Sequence, residues 1–167
     1  MGALSKARFK AAILITSDRA HNGTRPDKSG PALRRRLENL GYSVVFLEVV
    51  PDDRRTIVTV LRKWVDGEGI NLILVSGGTG LSPRDFTPEA TLEIIERRIP
   101  GMEEAMRRVS FEKTPHAILS RAVVGCVGHS LIVNLPGNPE GALENLEVLE
   151  PVLEHALELI TGGTPDS

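Results

Sequence analysis

The chain alternates short, almost wholly apolar segments with longer segments in which apolar residues recur at helical spacing. The apolar segments, each of a length typical of a buried strand, are 9–16, 42–50, 71–76, 121–128 and 129–136. The segments with helical spacing are 30–41, 54–69, 87–98, 102–110 and 138–160. Strands that alternate with helices favour parallel pairing with right-handed crossovers. The pattern therefore predicts an α/β fold: a three-layer single domain over residues 7–162, with a mostly parallel sheet, helices on both faces and a small β-hairpin element.

Individual residues predict where these elements begin and end. Thr87 is typical of a helix N-cap, with Pro88 as the first helical residue, and that helix is expected to run to about Arg98. A tight turn near Gly128 joins the last two strands into the hairpin. Asn138 is the predicted N-cap of the final helix, because a proline follows it directly.

Composition excludes several classes of function. The 167 residues carry a net charge of −2, which gives no electrostatic attraction to nucleic acid or to an acidic membrane. Cys126 is the single cysteine, so a reducing compartment fits and an internal disulfide does not. No apolar run approaches membrane-spanning length, and AAILI near the start is too short for a signal peptide. These features predict a cytoplasmic protein.

Four polar segments each follow directly after a predicted strand. They are TSDRAHNGTRPDKSG (16–30), PDD (51–53), GGTGLSPRD (77–85) and LPGNP (135–139). The carboxyl ends of parallel strands meet at one edge of a sheet, and ligands bind there in open α/β folds. The sequence therefore predicts one ligand site built from residues that are far apart along the chain.

The glycine-rich segment is the most suggestive of the four. Gly77, Gly78 and Gly80 have no side chains, so their backbone amides can approach a phosphate closely, although a simple tight turn would use the same residues. The Walker pattern is absent. Asp85 nearby would repel a phosphate unless a divalent cation lay between them. Arg84 is predicted either to contact the phosphate or to pair with another surface residue, and the sequence leaves that choice open.

The PDD segment offers two uses for its carboxylates. Either aspartate could cap the helix that begins near Arg54. We interpret Asp53 as the cap and Asp52 as facing the cleft. The LPGNP segment is either a turn and helix start or, because a helix N-terminus attracts anions, part of the site.

Taken together, five motifs resemble one family. The motifs are TSDR, VPDD, VSGGTGLSPRDFTPEAT, LSRAVVG and LIVNLPGNP, and the resemblance covers about residues 9–160. They resemble the MogA and MoaB proteins of molybdenum-cofactor biosynthesis. The resemblance implies a molybdopterin adenylyltransferase, which transfers AMP from MgATP to molybdopterin and prepares it for insertion of molybdenum or tungsten. It also implies a homotrimer or hexamer and a contact with the downstream metal-insertion protein.

The resemblance also assigns roles to individual residues. Asp52 and Asp85 match the two acidic positions tied to catalysis and Mg²⁺. The positions that match nucleotide- or molybdopterin-binding residues are Ser17, Asp18, Gly77, Gly78, Thr79, Gly80, Arg84, Ser120, Pro136, Gly137 and Asn138.

One segment departs from the pattern of many MogA members. They have Gly-Phe-Gly-Glu before Met-Arg, whereas this chain has GMEEAMR at 101–107, which is more similar to the MoaB side of the family. The alternative hypothesis is therefore a carrier that binds molybdopterin without turnover. The two carboxylates favour the enzyme, because a carrier for an anion gains nothing from negative charge in its pocket.

Overall fold

The computed structural model describes residues 8–163, which form one six-stranded sheet with helices on both faces. Residue 7, the first of the predicted domain, lies outside the described residues. The strands are β1 (Lys10–Thr16), β2 (Ser43–Val50), β3 (Leu72–Ser76), β4 (Arg97–Arg98), β5 (Val124–Val127) and β6 (Ser130–Leu135). The helices are α1 (Asp18–His21), α2 (Ser29–Asn39), α3 (Arg54–Arg62), α4 (Thr87–Ile94), α5 (Pro100–Lys113) and α6 (Pro139–Ile160). A π-helical turn (Lys63–Gly67) extends α3, and a 3₁₀ turn (Pro115–Leu119) follows α5.

The sheet has the strand order β2-β1-β3-β6-β5-β4. Its first four strands are parallel, while β5 pairs antiparallel with β6 and β4 pairs antiparallel with β5. The predicted α/β class, mostly parallel sheet and hairpin are therefore confirmed. The carboxyl ends of β1, β2, β3 and β6 all reach one edge, which is where the polar segments begin.

Alternating side chains of the sheet bury two separate apolar layers. On one face, Ile13 and Leu74 pack in a cluster with the leucines of α2 and α6. On the other face, Leu14 and Val75 pack in a second cluster with α3, α4 and Trp64, whose ring stacks on Phe46 with the ring centroids 5.9 Å apart. Because the strands are buried on both faces, they are continuously apolar in sequence. None of the helices within residues 8–163 is long and apolar enough to cross a membrane.

The structure corrects the boundaries predicted around α4 and α5. The helix that begins at Thr87 ends at Ile94 and does not reach Arg98, because Ile95 adopts an extended backbone. Backbone bonds to β5 replace the last helical turn, with the Ile99 N–H donating to the Val124 carbonyl (2.8 Å). The next helix begins at proline 100 and reaches Lys113, so it is longer than the predicted 102–110. A tertiary strand pairing here overrides the local helical pattern.

Candidate active site

A cleft of about 610 Å³ opens at the carboxyl edge of the sheet. We call it the acidic cleft, because three aspartates that follow three different strands line it. Its predicted site residues are Ser17, Asp18, Asp52, Gly77, Gly78, Arg84, Asp85, Gly137 and Asn138. The expectation that the segments after β1, β2, β3 and β6 converge is thus confirmed in space.

Asp18 and Asp52 tie the ends of β1 and β2 together. The Asp18 backbone N–H donates to Oδ2 of Asp52, and the Asp52 N–H donates to Oδ1 of Asp18, both at 3.0 Å. Burial raises the pKa of the Asp52 carboxyl, and the nearby charges of Asp18 and Asp85 raise it further against the effect of the Asp18 N–H. The cleft therefore holds a carboxylate that gains from any cation placed beside it.

Arg84 has a specific partner in this arrangement. Its Nε and Nη2 donate to Oδ2 and Oδ1 of Asp18 at 2.6 and 2.9 Å, a bidentate pair across the mouth of the cleft. This hydrogen bonding by Arg84 is the main reason that the pKa of Asp18 lies below its ordinary value. Of the two roles left open for Arg84, the structure shows pairing with another residue, and that residue belongs to the site.

The two neighbouring aspartates of the PDD segment have separate tasks. Asp53 is the N-cap of α3, where its Oδ2 accepts hydrogen bonds from the Thr56 N–H (2.9 Å) and hydroxyl (2.7 Å). Asp52 lines the cleft and does not cap the helix. The interpretation of Asp53 as the cap and Asp52 as the cleft residue is confirmed.

The glycine loop needs glycine for its backbone path. Gly77 and Gly78 have φ values of +106° and +65°, a region that side chains disfavour. A Cβ on Gly78 would lie 2.6 Å from Oγ1 of Thr87, which itself contacts Oγ1 of Thr16 at 3.2 Å. Thr87 is the first residue of α4 and its side chain does not cap the helix, so the predicted cap is wrong. Its hydroxyl instead packs beneath the loop.

The loop borders a second cavity of about 460 Å³. We name it the second cavity; its predicted site residues are Thr79, Gly80, Ser120, Pro136 and Asn138. Asn138 lines both spaces, and it also caps α6 through a 2.6 Å bond from the Gly141 N–H. The structure therefore divides the predicted single site between two cavities that meet at the GGTG loop.

Sequence reasoning missed the charged residues of the second cavity. Glu103 is only 2% exposed; it forms a bidentate pair with Arg98 and accepts the Val124 N–H at 2.9 Å. Arg107, one helical turn later, donates to the Ser120 carbonyl at 3.2 Å. The buried Oε1 of Glu144 accepts no hydrogen bond within the described part of the chain, and it forms a longer ion pair with Nζ of Lys113 at 3.6 Å. The spacing of Glu103 and Arg107 by four residues was the available signal.

The donor set suits Mg²⁺. Asp85 uses Oδ2 to accept the Ser82 N–H (2.9 Å), and Asp52 uses Oδ2 for Asp18, so both can offer Oδ1 to a cation. Among residues 8–163 no group of three or more potential ligands surrounds a common metal position. Mg²⁺ commonly binds through one or two carboxylates together with substrate phosphates and water. Asp52 and Asp85, each with Oδ1 left for a cation, lie beside the backbone of the glycine loop and match this mode of binding.

Comparison with known proteins identifies the family. Residues 12–155 match the family model described as "Probable molybdopterin binding domain". The chain belongs to this molybdopterin-binding domain family. The resemblance to MogA and MoaB proteins inferred from the motifs is thereby confirmed.

Curated relatives of the family include proteins of different lengths. The Haemophilus influenzae molybdopterin adenylyltransferase is 42% identical over 143 residues, covering 84% of this chain and 73% of the relative. The bifunctional molybdenum cofactor biosynthesis protein of Chlorobaculum tepidum is 40% identical over 92% of this chain. The chain spans 49% of that relative's length and 25% of Drosophila melanogaster cinnamon. Several relatives thus carry this domain as one part of a longer protein.

Solved structures agree in fold over nearly the whole chain. MoaB of Thermus thermophilus, described as a molybdopterin biosynthesis enzyme, superposes with a TM-score of 0.88 at 51% identity, covering 92% of this chain and 97% of its own. A MogA structure superposes with a TM-score of 0.87 at 43% identity, covering 91% of this chain and 99% of its own. The fold is therefore that of the MogA and MoaB proteins.

Proposed function

We propose that this protein is a molybdopterin adenylyltransferase that transfers AMP from MgATP to molybdopterin and so activates it for insertion of molybdenum or tungsten. The observation that carries the proposal is the pair of cavities that meet at one glycine loop with Asp52 and Asp85 beside it. A transfer between two phosphate-bearing substrates needs such a shared phosphate site. Relatives at 40–42% identity that bear this activity in their names support it.

The reaction requires positioning rather than a protein nucleophile. The terminal phosphate oxygen of molybdopterin attacks the α-phosphorus of ATP, the new P–O–P bond forms, and the bond to the β-phosphate oxygen breaks to release pyrophosphate. The chain's part is to hold two anions in line and offset their repulsion. Backbone amides of Gly78, Thr79 and Gly80 are the groups that would hold phosphate oxygens at the junction of the cavities. The Gly77 N–H already donates to the Leu135 carbonyl (3.0 Å), so Gly77 would contribute only the space left by its missing side chain.

Charged side chains provide the remaining parts. Asp52 and Asp85 would hold Mg²⁺, which supplies positive charge against the phosphate oxygens when bound. Asp18 is the anchor for Arg84, which lies at the mouth of the cleft and can exchange Asp18 for a phosphate. The proposed ligand-lining residues beyond these are Ser17, Ser120, Pro136, Gly137 and Asn138.

Pyrophosphate release tests the proposal directly. The purified protein is incubated with MgATP and molybdopterin, and pyrophosphate and adenylyl-molybdopterin are measured. Stoichiometric formation of both supports the transferase. Molybdopterin binding by calorimetry without either product would instead select the non-catalytic carrier of the same pathway.

Assembly and location extend the same proposal. We propose a cytoplasmic homotrimer, or a hexamer built from trimers, that contacts the downstream metal-insertion protein and neither nucleic acid nor membrane. The exposed apolar side chains of Leu81 (65%) and Ile118 (64%) offer surface for such contacts. Light scattering that gives a monomer mass at micromolar concentration would contradict the oligomer.

A further inference from the structure

Arg121 is hydrogen-bonded to the glycine loop through both its side chain and its backbone. Its Nε donates to the Gly80 carbonyl (2.8 Å) and its Nη2 to the Asp85 carbonyl (2.9 Å), while Nη1 pairs with Glu89 at 2.5 Å. Its backbone N–H donates to the Thr79 carbonyl at 2.8 Å. The guanidinium thus joins the last glycine of the loop, the Asp85 backbone five residues later, and the first turn of α4.

Arg121 lines neither the acidic cleft nor the second cavity. Its sequence neighbours Ser120 and Ala122 do line the second cavity, and Arg107 bonds to the carbonyls of both (3.2 and 3.0 Å). One segment of chain therefore forms a wall of the second cavity and holds the loop that carries Asp85. An arginine at this place acts through the loop rather than on a substrate.

We propose that Arg121 is a positioning residue that fixes the Asp85 carboxylate relative to the phosphate loop by clamping the carbonyls of Gly80 and Asp85. The fork of the guanidinium is required, because two carbonyls and one carboxylate are bonded from three different nitrogens. Lysine would keep the charge opposite Glu89 but has no planar fork. The clamp therefore distinguishes arginine from lysine, whereas a simple ion pair would not.

The loop itself supplies a readout that needs no substrate. The amides of Ser82, Asp85 and Thr87 are bonded within or beneath the loop, to Asp85 Oδ2, the Ser82 carbonyl and the Gly78 carbonyl. Hydrogen exchange of the full chain without ligands should quicken at these amides by at least about tenfold in Arg121→Gln and in Arg121→Lys, because opening the clamp frees the loop. In Glu89→Gln, which keeps both carbonyl contacts, exchange should stay within about threefold of the unmutated chain.

A matched control separates the clamp from general loss of an ion pair. Arg36 forms a bidentate pair with Glu150, at 2.6 Å for both bonds, and neither residue lines either cavity. Arg36→Gln should leave exchange at the three loop amides unchanged. Circular dichroism shows whether each variant is folded. If Arg121→Gln does not fold, the comparison of Arg121→Lys with Glu89→Gln still tests the clamp.

Kinetics form the second arm, which rests on the proposed function. In pyrophosphate release from MgATP with molybdopterin, Arg121→Lys should lower kcat about a hundredfold, the size expected for a reacting arrangement displaced by about 1 Å, with KM for molybdopterin within about threefold. Failure of the unmutated chain to release pyrophosphate would count against the proposed function alone and leave the exchange test intact. Unchanged loop exchange in Arg121→Lys, or unchanged kcat in an active enzyme, would overturn the clamp.

Discussion

The acidic cleft and the second cavity share the glycine loop but differ in how they are built. The cleft is formed mainly by residues that follow four parallel strands. Its charges are four aspartates (Asp18, Asp27, Asp52 and Asp85) and cations near the surface, such as Arg84 at 60% side-chain exposure. The second cavity is formed mainly by helical residues, with apolar side chains such as Met106 and a buried Glu103 whose charge is already matched by Arg98.

This difference indicates a division of labour. Within residues 8–163, Asp52 and Asp85 form no salt bridge, and such carboxylates beside bare backbone are suited to holding a cation and phosphates during transfer. A cavity with many apolar side chains, whose buried Glu103 carboxylate is already paired with Arg98, is suited to recognising the shape of a ligand. We therefore expect changes in the cleft to reduce turnover, and changes in the second cavity to weaken binding.

The largest expected effect is that of Asp85→Asn. The variant keeps an oxygen that can accept the Ser82 N–H, so the loop should remain in place while the charge for Mg²⁺ is lost. We expect kcat for pyrophosphate release to fall by about a hundredfold or more, with molybdopterin affinity retained. Asp52→Asn should behave similarly, whereas Asp53→Asn, which only alters the α3 cap, should keep its turnover. Near-normal turnover in Asp85→Asn would show that the acidic cleft takes no part in the reaction.

Gly78→Val should disrupt the loop that the two cavities share. The new Cβ would lie 2.6 Å from the Thr87 hydroxyl in a backbone with φ of +65°, so we expect a loss of about 2–4 kcal/mol in unfolding free energy together with weakened ligand binding. Gly23→Val is the matched control, because Gly23 has φ of +83° and open space around it. It should lose only about 1–2 kcal/mol in urea unfolding. Equal losses in both variants would show that packing under the loop is unimportant.

Ser120→Ala tests the second cavity. Ser120 lines this cavity, and its hydroxyl accepts one long hydrogen bond, from the Ala122 N–H at 3.3 Å. Its removal should therefore cost one hydrogen bond to the ligand and little stability. We expect KM for molybdopterin to rise about fivefold with kcat within about twofold. A fall in kcat with unchanged KM would contradict the division between the two cavities.

The smallest expected effect is on stability. Asp52→Asn should stabilise the folded protein at neutral pH although it lowers turnover. The pKa of Asp52 is raised above its ordinary value of 3.8, first by burial, so the folded protein binds this proton more readily than the unfolded chain. Stability is therefore lost as the pH rises from 3.8 through the raised pKa, and the loss persists at pH 7. Asp52→Asn should melt at a higher temperature than the unmutated chain at pH 7, with the difference shrinking as the pH approaches 3.8. A difference independent of pH would contradict this account.

The sequence by itself determined the fold class, the mostly parallel pairing of the strands and the convergence of four polar segments at one edge of the sheet. Apolar runs such as 71–76 are long enough for only one buried strand, and the helices between them require parallel crossovers. Parallel strands then bring Asp18, Asp52 and Asp85 to one edge without further information. The Asp53 and Asn138 caps were also predictable, because a cap bonds to backbone only three residues away.

Only the tertiary structure decided which groups touch across the site. Arg84 and Asp18 are 66 residues apart, and nothing local distinguishes their pairing from a free phosphate contact. The short β4 strand replaced a helical turn because its backbone found partners in β5, and the Arg121 clamp and the second cavity depend on how α5, α6 and the loop pack together. Local periodicity reports the preference of a segment for helix or strand, whereas a cavity and its ion pairs arise from the relative positions of segments, which packing alone sets.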